Sequence, residues 1–175
     1  YAGRPLTYTL AQSPHFPEVW KTVLKANEEA NLEGLEIIGQ ISPRANGMNF
    51  GLDLSFNPFT FYPSYRQIAA LPLDERVKRM RDPEFRRKML SETPEDPNPY
   101  MLWLTALYPK AYMLDDTPDY EPGPEKFIGE IARAKGLSAA EVAYDMLLER
   151  DGHSILALPV GNYLDGDLEA ARTMM

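Results

Sequence analysis

The stretch "RPLTYTLAQSP" alternates apolar and polar positions and is rich in β-formers, so Pro5 to Gln12 reads as a strand. Pro14 and Pro17 punctuate the next segment, and Pro17 suits the first turn of a helix, where a missing N–H is harmless. Val19, Trp20, Val23 and Leu24 then recur at the spacing of a buried helical stripe, and Gly34 ends it. "LEIIGQIS" comes next as a strand over Leu35 to Ile41, closed by Ser42-Pro43. Strand, helix and strand in so short a span predict parallel pairing through a right-handed crossover.

The rhythm then breaks. "ANGMNFGLDLSFNPFTFYP", from Ala45 to Pro63, sets aromatics among Gly, Asn and Pro with no clean period, and reads as a long ordered loop. Helices are predicted near Pro72 to Arg81, from Pro83 (capped by Asp82) to Ser91, and over Pro99 to Leu107. Ala111 to Leu114 reads as a short strand. Pro124 to Lys135 is helical up to Gly136. A capping box at Ser138 and Glu141 then opens a helix with its buried stripe at Val142, Ala143, Met146 and Leu147, ending at Gly152. Ser154 to Val160 is a strand and Asp165 to Met175 a last helix.

The expected class is α/β: a partial (β/α)8 barrel of about three parallel strands with a long, mostly helical and loop insertion. We divide it as a strand-helix-strand unit (1–44), an insertion expected to act as a lid (45–122) and a helix-strand-helix unit (123–175), one domain overall. Three parallel strands leave open edges, which points to a piece of a larger enzyme and to self-association through exposed strand edges.

Composition narrows the partners. The net charge of -8 disfavours a phosphate backbone, so no nucleic acid is expected. No apolar run approaches the roughly 20 residues that span a bilayer, so no membrane is expected either. Cysteine is absent, which removes disulfides and thiolate zinc sites and suits a cytoplasmic protein.

Candidate chemistry lies where parallel strands end. Gln12, Gln40, Arg44, Asn162 and Tyr163 would share one rim, where amides and a guanidinium suit a small-molecule amide or carboxylate. Capping of strand ends is the competing role. His15 sits on the same rim without a ligand cluster, and His153 on the opposite one. The aromatic loop from Phe50 to Tyr62 either lines an acyl pocket or plugs a core. The basic run Arg76 to Lys88 reads as an exposed face over a packed one. No phosphate-binding loop, dinucleotide fingerprint, nucleophile elbow or zincin motif is present. Catalytic residues and metal ligands are therefore expected to be none within this chain.

The ordered set "GRPLTYTLAQ", "GQISPR", "LSFNPF", "YRQIAALPLDERVKRMRDPEFRRKML", "PDYEP", "EVAYDMLLERDG" and "LPVGNYLDGDLEAARTMM" resembles the N-acyl-D-amino-acid deacylases (D-aminoacylase-like) of the amidohydrolase superfamily. The resemblance implies a metal-dependent (β/α)8 hydrolase of C–N amide bonds, with a divalent metal, zinc by expectation, that activates water. The family's His-x-His pair and its Asp-Gly-Gly-Ala-His segment are missing here. The chain is thus expected to bind no metal and to be inactive without the rest of the barrel. Gln12 and Gln40 fall where relatives with a second metal carry histidines. The alternatives are a non-catalytic small-ligand binding module and a structural domain.

Overall fold

The structure, a computed structural model, describes residues 4–175. It is a mixed α/β protein whose chain forms two compact units. One comprises the residues up to Gly47 together with Pro159–Met175; the other is Met48–Leu158.

In the first unit, β1 (Leu6–Thr9) and β2 (Ile37–Gln40) pair in parallel, Leu6 opposite Ile37 and Thr9 opposite Gln40. Helix α1 (Val19–Leu32) joins them, as the pattern predicts. The β1 strand ends before Gln12 because Leu10 makes the last ladder bond, to the Gln40 carbonyl at 3.0 Å. One face of this ribbon is packed: Leu10 is buried with Trp20 of α1, and Tyr8, Val23, Leu24 and Ile41 fill in around them. A C-terminal helix (Glu169–Met174) contributes Ala170 and Met174 to that cluster. It starts later than Asp165, because Gly166 takes a left-handed backbone (φ +84°) and holds the preceding residues in a turn. The other face, carrying Thr7, Thr9, Ile38 and Gln40, is exposed.

Three parallel strands in one sheet are not what forms. A second sheet has the order β3-β5-β4, with β3 at Asn46–Phe50, β4 at Tyr112–Met113 and β5 at Leu156–Gly161. Strand β4 runs antiparallel to β5, Tyr112 opposite Ala157. Strand β3 lies within the stretch expected to be loop. Its Asn and Gly residues hide the alternation, and its place beside β5 supplies the pairing that propensity does not.

The second unit also departs from the expected division at 122/123, since 123–158 belongs with the insertion. Side-chain packing explains this. Tyr144, on the helix Ala139–Leu148, is fully buried, packs edge-on against Phe59 and donates its hydroxyl to the Met80 carbonyl at 2.7 Å. Burial holds that phenol well above its ordinary pKa. The aromatic loop therefore plugs a core: Phe50, Leu52 and Phe59 are fully buried. It then leads into a further helix, α2 (Pro63–Ile68), which the sequence pattern does not reveal.

Helices α3 (Leu73–Met80), α4 (Pro83–Leu90), α5 (Pro99–Ala106) and α6 (Ile128–Lys135) form close to expectation, so the Ala139–Leu148 helix is α7 and the C-terminal one α8. Asp82 caps α4 by accepting from the Glu84 and Phe85 amides. Several arginines of the basic run serve the fold. Arg76 donates to the Leu52 and Leu71 carbonyls, Arg81 pairs with Asp151, and Arg86 pairs with Asp145. No helix among the described residues is long and apolar enough to cross a membrane.

Gly152 and Glu141 put this packing to the test. A Cβ on Gly152 would lie 2.4 Å from Val77 Cγ2, and the backbone there is left-handed at φ +87°. Gly152→Ala should lose at least the ~1–2 kcal/mol of a left-handed non-glycine residue, lowering Tm by roughly 2–8 °C, with part recovered in Gly152→Ala/Val77→Ala. Calorimetry showing an unchanged Tm would remove the steric account. The carboxylate of Glu141 accepts from the Ser138 backbone and hydroxyl, which holds its pKa below the ordinary 4.5. A depressed carboxylate contributes stability above its unfolded pKa and loses it as pH falls through the folded value. Glu141→Ala should therefore melt lower than the parent at neutral pH, with the gap closing on acidification below 4.5. A gap that persists in acid would contradict this.

Candidate functional site

The strand ends of the first unit meet at one hydrogen-bonded junction. Asn162, directly after β5, accepts from the Gln12 backbone amide through Oδ1 at 2.8 Å. Its Nδ2 donates to the Ser42 carbonyl at 3.2 Å, and its own amide donates to the Gln12 carbonyl at 3.3 Å. Gln12 lies beyond β1 and Ser42 beyond β2, so one side chain ties together the ends of both parallel strands and β5. Close approach requires Gly161, because a Cβ there would stand 2.7 Å from the Gln12 carbonyl oxygen. Asn162 itself sits at φ +57°, a left-handed conformation that asparagine tolerates better than most residues.

The Gln12 carboxamide is equally occupied. Its Nε2 donates to Asp165 Oδ2 at 2.9 Å and its Oε1 accepts from the Leu164 amide at 3.2 Å. Gln12 is 2% exposed, Asn162 0% and Tyr163 7%. The predicted rim residues thus divide. Gln12 and Asn162 are brought into direct contact but point their polar groups at the protein. Tyr163 is buried next to Asn162 in the chain. Gln40 and Arg44 are exposed at the end of β2 and in the turn after it. Asp165 and the Ser42 carbonyl belong to the same junction, and residue type alone does not mark them. The signal that could reveal the junction is the Gly161-Asn162 pair, a turn dipeptide able to take positive φ.

No group of three or more His, Asp or Glu side chains that could hold a metal ion occurs among the described residues. His15 and His153 belong to different units and are both exposed. The donor set for the zinc that the resemblance implies is not found among those residues.

The second unit has an open cleft of about 610 Å³ lined by residues including Asp53, Asp74, Lys78, Arg81, Asp151 and His153. Several of its charges answer one another. Arg81 reaches Asp151 at 2.9 Å, and His153 Nδ1 lies 3.8 Å from Asp53. These side chains are more than half exposed, so the pairs contribute little energy. Elsewhere in that unit burial raises the Tyr62 and Tyr108 pKa values, Tyr108 to about 12 with the help of Tyr62, so both stay neutral phenols at physiological pH.

Comparison with protein-family models, curated proteins and solved structures finds no match to this chain. The class it defines is a mixed α/β protein with a polar junction at its strand ends.

The junction makes a specific prediction. Asn162→Ala removes the acceptor for the Gln12 amide and the donor for the Ser42 carbonyl, leaving buried groups unsatisfied at about 1–3 kcal/mol each. Tm should fall by roughly 4–24 °C. An Asn162 that served only to contact substrate would leave Tm unchanged on substitution. Thermal melting of the chain decides between the two, and no shift would dissolve the junction's structural role.

Proposed function

We propose that this chain is a segment of a metal-dependent amidohydrolase that cleaves the amide bond of N-acyl-D-amino acids or similar small C–N amides, with its metal ligands supplied from outside the segment. The observation that carries the reading is the first unit's parallel ribbon, packed on one face and bare on the other. Ile38 is 51% exposed on that face, alongside Thr7 and Gln40. Parallel strands are found with both faces covered, so this ribbon fits as two staves of a larger α/β sheet or barrel. Its β1-α1-β2 connectivity is the repeating unit of a (β/α)8 barrel, and its strand ends converge as they do at such a barrel's functional rim. The amide-hydrolysing chemistry is what the resemblance of the ordered motifs to the deacylases implies.

Within that reading Gln40 and Arg44 are the exposed groups that would meet a ligand. Arg44 offers a planar donor fork for a substrate carboxylate, and Gln40 can donate and accept toward an amide. The 45–122 segment would serve as the lid of the whole enzyme, and the exposed Ile38 face would meet the rest of the barrel.

The test is hydrolysis by the purified natural gene product. Free amino acid should be released from N-acyl-D-amino acids faster than from the L-enantiomers, and the activity should disappear on chelation and return with zinc. Arg44→Ala in that protein should raise KM for carboxylate-bearing substrates by roughly tenfold or more, the worth of a charge-assisted contact. No release from any N-acyl amino acid with metal present would overturn the proposal.

A further inference from the structure

Between Asn162 and Gly166 the chain makes a turn whose two ends are both left-handed, at φ +57° and +84°. Backbone bonds hold it weakly: Asn162 N to the Gln12 carbonyl and Gly166 N to the Tyr163 carbonyl are each 3.3 Å long. A shorter bond reaches inside the turn from Gln12 Nε2 to Asp165, at 2.9 Å, and Oε1 of the same carboxamide takes the Leu164 amide. A carboxamide is a neutral group that donates at one end and accepts at the other. Glutamate would meet Asp165 with like charge, and leucine would leave the Leu164 amide unanswered.

We infer that Gln12 is a positioning residue, neither a metal ligand nor a substrate contact, whose carboxamide latches the 162–166 turn onto the end of β1. Its partner Asp165 is the second half of the latch. Both ends of the carboxamide are engaged with the turn, so neither is directed at a ligand. Its effect on a substrate would pass through the placement of the turn and of Tyr163 within it. That functional consequence rests on the amidohydrolase reading; the latch itself does not.

Two readouts separate the latch from that reading. In this chain, Gln12→Glu keeps an acceptor for the Leu164 amide but replaces the Nε2–Asp165 bond with like charge, so the turn should open more often. Amide hydrogen exchange at Leu164 should then quicken at least about tenfold, as the loss of that bond near 1.4 kcal/mol implies, and recover in Gln12→Glu/Asp165→Asn, where the donor and acceptor ends are exchanged. Asp165→Ala, at an exposed position, should quicken Leu164 exchange with little change in Tm, which keeps the test valid if Gln12→Glu fails to fold. In the natural gene product, Asp165→Ala should lower kcat/KM for an N-acyl-D-amino acid with metal content unchanged. The polarity-swapped pair should recover what Gln12→Glu loses. Unchanged Leu164 exchange in the single variants, or no recovery in the double, overturns the latch. Latch behaviour in exchange alongside a parent that hydrolyses nothing would instead overturn the amidohydrolase reading alone. Normal exchange changes with unaltered kcat/KM in an active parent would overturn the positioning role.

Discussion

The first unit depends on a contact between residues 150 apart in sequence, the bond from the Gln12 amide to the Asn162 side chain. Alone, the β1-α1-β2 ribbon has two strands, one helix over one face and the other face exposed. Asn162 supplies the third leg. By reaching the Gln12 amide and the Ser42 carbonyl it fixes the β1 and β2 ends against the end of β5, and α8 continues from that point to lay Ala170 and Met174 beside Trp20. The entropy of closing so long a loop grows only slowly with its length, so a few well-made buried bonds and one apolar cluster suffice to hold it shut.

The strain of this arrangement is visible in the backbone. Asn162 is held in the left-handed region and Gly161 is pressed against the Gln12 carbonyl. Such a conformation persists where surrounding contacts over-determine it, and here three hydrogen bonds to Asn162 do so. The second unit uses a different principle. Its order comes from an aromatic core, with Phe59 packed against Tyr62 and Tyr144, and from arginines that answer backbone carbonyls left over at turns. Of the basic run, Arg76, Arg81 and Arg86 are engaged within that unit, Arg76 with the Leu52 and Leu71 carbonyls and the other two with Asp151 and Asp145.

Sequence patterns carry the local elements well where one rule dominates. The α1 stripe at Trp20, Val23 and Leu24, the Asp82 cap and the Ser138–Glu141 box all form, because each is decided within a turn or two of chain. Non-local decisions are out of reach. Strand β3 carries Asn and Gly at positions where pattern favours a loop, and only its neighbour β5 makes it a strand. Residue types place Gln12 and Asn162 on one rim but give no means of telling which way their amides face. A carboxamide suited to a substrate amide is equally suited to the protein's own backbone, and the structure shows the second use.

That reversal bears directly on function. A ligand site at parallel strand ends needs groups that are held rigidly and groups that face outward, and these roles conflict within one side chain. Here they are divided. Gln12 and Asn162 are buried and engaged with the protein, so they set geometry. Gln40 and Arg44, at the end of β2 and just beyond it, stay exposed, and the Ser42 carbonyl that Asn162 grips lies between them in sequence. The junction thus anchors the segment on which the exposed Arg44 stands. Within the proposed reading, an arginine that projects from a fixed backbone would bind a substrate carboxylate with less ordering entropy.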